Sequence, residues 1–135
     1  MGLRAVILGC GSSGGVPRVG GDWGFCDPSN PRNKRSRSSL YVEYWDGEDM
    51  PAPENRTAIV IDTSPDLREQ FLAADIKRLD AVVFTHEHAD QSHGPLPIGC
   101  GPKFPLTWTR TLKTMFTHGL TIALKCPKAG FILPS

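Results

Sequence analysis

Three of the four histidines of this chain lie in one short segment, His86 to His93, directly after the apolar run 81–84. A short run of β-branched and aromatic residues predicts a buried strand, so the histidines follow the end of that strand. On an extended backbone residues i and i+2 point to the same side, and His86 and His88 would offer imidazole nitrogens to one ion. Asp90 would continue the same edge as an oxygen donor. The pattern predicts a metal site at one end of a sheet.

The donor atoms of this segment favour a transition metal ion. Imidazole nitrogens with one carboxylate suit Zn²⁺, with Mn²⁺ or Fe²⁺ as alternatives, better than Ca²⁺ or Mg²⁺. Single histidines also occur in loops as surface or hydrogen-bonding residues, and we interpret the isolated His118 in that way. Three histidines and an aspartate in one window are better explained by one or two bound ions. We therefore expect a hydrolytic metal centre.

The charge distribution divides the 135 residues at Pro95. Residues 1–94 hold ten Lys and Arg and all fourteen Asp and Glu, a net charge of −4. Residues 95–135 hold five Lys and Arg, no acid and six of the twelve prolines. A continuing domain normally keeps surface carboxylates, so this step predicts one domain over 1–94 and an atypical tail over 95–135 that is a non-native ending. We assign no regular structure to the tail.

The composition argues against several classes of protein. The net charge of +1 indicates neither a nucleic-acid nor a membrane partner. The four cysteines form no CxxC pair, which argues against a zinc ribbon or a thioredoxin-type site. No apolar run reaches the roughly 18 residues of a membrane span, and the apolar start ends in glycines. We expect a cytoplasmic protein with no specific nucleic-acid partner and no membrane partner.

Four segments have the apolar pattern of strands, and these are Leu3–Leu8, Ser39–Trp45, Thr57–Ile61 and 81–85. The second and third should pair as a long hairpin. Ser64 has the features of a helix N-cap, followed by Pro65 at the first helical position. The helix should run to about Asp75 and present Leu67, Phe71 and Ala74 as one apolar stripe. This order of elements predicts an α/β architecture.

The segment Gly9–Gly14 matches the GxGxxG dinucleotide fingerprint. The fingerprint needs a helix directly afterwards, and Gly15, Pro17 and further glycines prevent one, so we disfavour a nucleotide cofactor. Two other interpretations stay open: a connection that needs positive φ at several glycines, and a nest of backbone amides for a phosphate substrate. The basic run Arg32–Arg37 lacks interleaved aromatic residues, and we interpret its charge as structural or solubilising and not as a nucleic-acid footprint.

Three segments together resemble the metallo-β-lactamase superfamily: LGCGSSGGVP at 8–17, IDTSPDLR at 61–68 and THEHAD at 85–90. Within that superfamily they are most similar to the phosphoribosyl 1,2-cyclic phosphate phosphodiesterases. The resemblance covers residues 1–94 and implies a four-layer αββα sandwich, of which this chain would hold only the N-terminal half.

The resemblance also implies the roles of individual residues. His86 and His88 would bind a first Zn²⁺, and Asp90 would bind a second and take part in catalysis. Asp62 would brace the ligand loop through hydrogen bonds. The metal-bound hydroxide would attack a small phosphodiester, so the implied activity is that of a metal-dependent hydrolase of the phosphodiesterase type.

Two departures from the family pattern qualify this expectation. Gln91 stands where the family has a histidine, and a neutral amide is a weaker zinc ligand, although His93 would be a substitute. No acidic residue follows Asp90, so the later ligands of the family are absent. We therefore expect a truncated chain that is weakly active or inactive, with a possible homo-oligomer as its assembly. The alternative is a non-catalytic metal-binding or interaction fragment.

Overall fold

A mixed sheet organises the residues that this computed structural model describes, which are 1–86, 88–92 and 123–125. Its strands are β1 (Gly2–Gly9), β2 (Ser39–Trp45), β3 (Thr57–Ile61), β4 (Ala81–Val83) and β5 (Ala123–Lys125). They lie side by side in the order β1-β2-β3-β4-β5. The expected α/β architecture is confirmed.

Short helices connect or follow these strands. They are α1 (Leu67–Ala73), α2 (Ala89–Ser92) and two 3₁₀ turns at Pro31–Asn33 and Pro53–Asn55. Among the described residues, no helix is long and apolar enough to cross a bilayer.

The strand directions bring several chain segments to one edge of the sheet. β2 pairs antiparallel with β1 and with β3, as the predicted hairpin requires, while β3 and β4 run parallel with Ile61 opposite Val83. Gly9 at the end of β1 lies opposite Ser39 at the start of β2, and Leu40 lies opposite Ile61. The residues that follow β1, β3 and β4 therefore leave the sheet at the same edge.

The core lies between α1 and one face of the sheet. Side chains alternate along a strand, and in β2 every second residue from Ser39 to Trp45 is buried. The buried cluster consists of Tyr41, Ala58, Val60, Leu67, Phe71, Leu79, Val82 and Phe84. On the opposite face of β1, Leu3 and Ile7 remain 65% and 72% exposed.

The start of α1 differs from the sequence prediction. Ser64 is not the N-cap residue, because the helix begins at Leu67 and Asp66 is its N-cap. The Ser64 side chain is completely buried and donates a hydrogen bond to Oε1 of Gln70 at 3.1 Å. Its carbonyl accepts from the Leu67 N–H at 3.0 Å, which closes a turn before the helix. The buried turn therefore displaces the helix start by two residues.

The C-terminal end of α1 also comes earlier than predicted. The helix ends at Ala73, and Asp75 takes a positive φ of 53°. The N–H of Ile76 then donates to the carbonyl of Phe71 at 2.9 Å, which is the bond that reverses a chain after a helix. Ala74 of the predicted stripe is consequently the C-cap, while Leu67 and Phe71 are buried as expected.

One strand lies in the region to which the sequence assigned no regular structure. Ala123–Lys125 pairs antiparallel with β4, and Leu124 lies opposite Val82. The remaining residues of the predicted tail lie outside the described part of the chain, so its boundary at Pro95 stays a prediction. β5 is a strand that its local sequence did not indicate.

Two leucines of α1 provide a test of this packing. Leu67 is 1% exposed and Leu72 is 62% exposed. We expect Leu67→Ala to lower the free energy of unfolding by about 2–5 kcal/mol, because it leaves a cavity in the core. Leu72→Ala should change it by less than about 0.5 kcal/mol. Urea unfolding of both variants measures this, and equal losses would contradict the described position of α1.

Candidate metal centre

Asp62 follows β3 at the edge of the sheet and is held there by its backbone. Its N–H donates to the carbonyl of Val83 at 2.8 Å, and its own carbonyl accepts from Oγ of Ser39 at 2.7 Å. Its φ of 60° lies in the left-handed region, which residues other than glycine seldom adopt. The residue is only 9% exposed. These constraints fix the direction in which the carboxylate projects.

Both oxygens of the Asp62 carboxylate accept hydrogen bonds from Thr85. The backbone N–H of Thr85 donates to Oδ1 at 2.8 Å, and its hydroxyl donates to Oδ2 at 2.7 Å. An N–H that binds a side chain cannot also extend the strand ladder. β4 therefore ends at Val83 and not at residue 85 as predicted. The Asp62 carboxylate thus sets the point at which the chain turns towards the histidines.

His86 and His88 lie side by side after this turn. Their ring centroids are 4.7 Å apart and the ring planes meet at 79°. Both residues are exposed, and Nδ1 of His86 lies 2.8 Å from the Thr85 hydroxyl oxygen. Rings at this separation can each direct one nitrogen to a shared ion at the usual Zn–N distance of about 2.0–2.1 Å. The two imidazoles fit the first two positions of a zinc site.

Asp90, the third predicted ligand, lies on a helix and not on the extended backbone that was predicted. Asp90 lies in α2 and is partly buried, so the extended edge that was predicted for 86–90 is wrong beyond His88. The helix starts there because the N–H and hydroxyl of Ser92 both bond the carbonyl of His88 at 3.1 Å. Among the described residues, no three His, Cys, Asp or Glu side chains gather as a metal-binding group.

Several residues that the sequence singled out are not described in the structure. Gln91 lies in α2, but its side chain is outside the described part, and His93 and His118 lie outside it entirely. Cys10 and Cys26 are free thiols, while Cys100 and Cys126 are outside the described residues. The ligand roles of Asp90, Gln91 and His93 therefore remain predictions.

The glycine-rich segment after β1 occupies the same sheet edge. It makes internal bonds: the N–H groups of Gly11, Gly15 and Val16 donate to the carbonyls of Ser36, Ser12 and Arg35 at 2.7–2.9 Å. Three amides of the hypothetical anion nest are thus already engaged. Described residues 10–30 contain turns and no helix, which does not fit a dinucleotide site.

Glycine is required in this segment for two separate reasons. A Cβ on Gly9 would lie 2.1 Å from the carbonyl oxygen of Arg37, so only glycine permits the close approach. Gly15, Gly20, Gly21 and Gly24 all have positive φ values, between 55° and 94°. The interpretation of the segment as a connection with several left-handed glycines is confirmed.

Arg37 ties the glycine-rich segment to the start of α1. Its Nε donates to the carbonyl of Ser13 at 2.8 Å, and its guanidinium forms an ion pair with Asp66 at 2.8 Å. The carboxylate of Asp66 also accepts from the Arg37 N–H at 2.9 Å. This member of the basic run is therefore structural.

A cavity of about 240 Å³ lies at the opposite end of the sheet. Its floor holds Glu43, which is 6% exposed and accepts from Arg4 at 3.1 Å, Arg56 at 3.4 Å and the Tyr41 hydroxyl at 3.3 Å. Burial and the neighbouring Glu43 carboxylate raise the pKa of Tyr41 to about 12. The network joins β1, β2 and the loop before β3, and it is distant in the fold from the histidines.

The family model described as the Beta-lactamase superfamily domain matches residues 57–123. That match starts at β3 and continues past Pro95 to the first residue of β5. It includes Asp62, Thr85 and the pair His86 and His88. The predicted resemblance to the metallo-β-lactamase superfamily is thus confirmed over residues 57–123. The mixed sheet with few helices agrees with a partial domain of this metallo-β-lactamase-like fold.

Solved structures extend the comparison. A diphosphatase from the PhnP family is 40% identical with a TM-score of 0.59, over 72% of this chain and 34% of that chain. Zn²⁺-bound PqqB from Methylobacterium extorquens is 23% identical with a TM-score of 0.49, over 69% of this chain and 35% of that chain. The chain thus spans about a third of each of these structures.

A curated relative carries a different name. A protein called octanoyltransferase from Porphyromonas gingivalis is 41% identical over 92 residues, which are 68% of this chain and 17% of that protein. The name belongs to a protein of which this chain matches less than a fifth.

Position 62 permits a test of the site's backbone that needs no metal. We expect Asp62→Ala to be less stable than Asp62→Gly by about 1 kcal/mol, because only glycine takes a φ of 60° without strain. Both variants lose the bonds to Thr85, so their difference isolates the backbone term. Urea unfolding measures it. At an ordinary position alanine would be the more stable of the two, and that order would contradict the described conformation.

Proposed function

We propose that this chain carries the metal-binding end of a metal-dependent hydrolase that acts on phosphate esters or anhydrides. The observation that carries the proposal is the pair of imidazoles at the end of β4, with ring centroids 4.7 Å apart. The match of residues 57–123 to the β-lactamase superfamily model supports a hydrolytic role for such a pair. Zn²⁺ is the proposed ion, with Mn²⁺ or Fe²⁺ as alternatives, because two nitrogen donors favour transition metals over Ca²⁺ and Mg²⁺.

The chain's own residues divide the work at this end of the sheet. His86 and His88 would hold the ion, and Asp62 and Thr85 set the position of the segment that presents them. Asp90, on the next helix, is the proposed carboxylate ligand and catalytic residue. When bound, a metal of this kind activates water as a nucleophile near neutral pH and polarises the bond under attack.

The proposed substrate class is a small molecule with a phosphoryl group. Support comes from the 40% identity to a PhnP-family protein that is itself described as a diphosphatase. A phosphodiester, in particular a cyclic one, is the finer proposal, and it rests on the sequence likeness at residues 8–17, 61–68 and 85–90. Acyl transfer is a weaker candidate, because the matched region is 17% of the protein that bears that name.

A second candidate function is metal binding without turnover. Catalytic zinc sites usually have three protein ligands and one open position. Within the described ranges no group of three potential ligands is assembled, which favours this alternative for the chain by itself. We therefore propose metal binding combined with weak hydrolysis or none.

Metal binding is the first test. The full chain, purified without chelators, should take up Zn²⁺ at one equivalent per molecule, as measured by metal analysis and titration. His86→Ala and His88→Ala should each abolish stoichiometric uptake, because each removes one of two described donors. Glu69→Gln, an exposed carboxylate on α1, is the matched control and should bind normally. Unchanged zinc content in both histidine variants would contradict the proposed centre.

Hydrolysis is tested separately on the zinc-loaded chain with bis-p-nitrophenyl phosphate. We expect slow release of p-nitrophenolate that disappears on chelation and returns with added Zn²⁺. Asp90→Asn should lower the rate by a factor of about 10² or more if its carboxylate takes part in the reaction. Asp75→Asn, an exposed carboxylate beyond α1, is the control. Normal zinc uptake with no turnover would favour the binding-only alternative.

A further inference from the structure

We infer that Thr85 is a positioning residue that selects the proton tautomer of His86 and thereby makes its Nε2 atom the metal-binding nitrogen. The inference deepens the proposed function and rests on it for the role of the metal. It starts from a continuous line of three groups: the Asp62 carboxylate, the Thr85 hydroxyl and Nδ1 of His86, with contacts of 2.7 and 2.8 Å.

The direction of these hydrogen bonds follows from the chemistry of the groups. A carboxylate only accepts hydrogen bonds, and a hydroxyl has one proton to donate. The Thr85 hydroxyl donates that proton to Oδ2 of Asp62. Towards His86 it can therefore only accept, so Nδ1 must carry the proton. In a neutral imidazole with a proton on Nδ1, the lone pair available to a metal is on Nε2.

The structure fixes this direction because the carboxylate cannot rotate away. Oδ1 of Asp62 is occupied by the backbone N–H of Thr85 at 2.8 Å, and the Asp62 carbonyl is held by Ser39 at 2.7 Å. The same threonine thus binds both oxygens, one through its backbone and one through its side chain. Asp62 is 9% exposed, so few water molecules can compete with Thr85 for its carboxylate oxygens.

Metal-binding histidines commonly donate their second ring N–H to a carboxylate, a carbonyl or water. Here the hydroxyl of Thr85 lies between the His86 ring and the Asp62 carboxylate, so the carboxylate contacts the ligand only through the Thr85 side chain. Thr85 was not among the residues singled out from the sequence, because a threonine at a strand end has many ordinary roles. Its importance follows from its two contacts, one on each side of the hydroxyl.

Three substitutions separate this role from a purely structural one. Thr85→Ser keeps the hydroxyl. Thr85→Val keeps the shape and removes it. Asp62→Asn goes further, because the Thr85 N–H requires the amide oxygen at the Oδ1 position and so turns the NH₂ group towards the hydroxyl. The hydroxyl must then accept from Asn and donate to His86, which reverses the tautomer.

The experiment records ¹H–¹⁵N correlation spectra of the imidazole rings in the metal-free full chain, at a pH above the usual titration range of histidine. The proposal predicts the Nδ1–H tautomer for His86 in the wild type and in Thr85→Ser. It predicts a smaller share of that tautomer in Thr85→Val and a majority of the Nε2–H tautomer in Asp62→Asn. Thr57→Val, at the start of β3, is the control and should leave the spectrum unchanged.

Zinc titration of the same proteins gives the second readout. Affinity should fall roughly 10- to 100-fold in Thr85→Val and Asp62→Asn and remain close to wild type in Thr85→Ser. An Nε2–H tautomer in the wild-type chain would overturn the inference, whatever the zinc affinity. A wild-type chain with the predicted tautomer but no zinc binding would overturn the proposed function and leave the hydrogen-bond assignment intact.

Discussion

The site depends on one buried carboxylate that accepts two hydrogen bonds from a single residue. Asp62 binds both the N–H and the hydroxyl of Thr85, and this pairing ends β4, starts the bend and orients the segment that contains His86 and His88. A buried carboxylate is costly unless its oxygens are hydrogen-bonded, and here both are. The same bonds that satisfy the charge therefore position the histidines, so folding of the sheet edge and formation of the site are linked.

The topology explains why this edge is suited to a site. Parallel pairing of β3 with β4 brings Asp62 next to Thr85, although 23 positions separate them in sequence. Antiparallel pairing of β1 and β2 brings the glycine-rich segment to the same edge, where Arg37 and Ser39 bond to Asp66 and Asp62. The core of α1 and the sheet lies behind these residues. The candidate site is thus built on connections between strands, while the regular elements support it.

The sequence predicted the regular part of the fold because periodicity is local. The strand at Ser39–Trp45 and the strand at Thr57–Ile61 were predicted with the observed bounds, and the two pair as expected. The predicted start of α1 was wrong because the buried Ser64 hydroxyl donates to Gln70, a contact that capping statistics do not include. The predicted end of β4 was wrong because the Asp62 carboxylate binds the N–H of Thr85. Thr85 was missed for the same reason, since its role comes from Asp62, at the end of the neighbouring strand β3.

We propose that the end of β4 forms a zinc site with two imidazole ligands. X-ray absorption at the zinc edge of the zinc-loaded full chain is a test of this proposal, because the spectrum reports the ligand atoms themselves. We expect two imidazole nitrogens at about 2.0–2.1 Å, with oxygen in the remaining positions. A spectrum with sulfur ligands at about 2.3 Å, or without the scattering of imidazole rings, would contradict it.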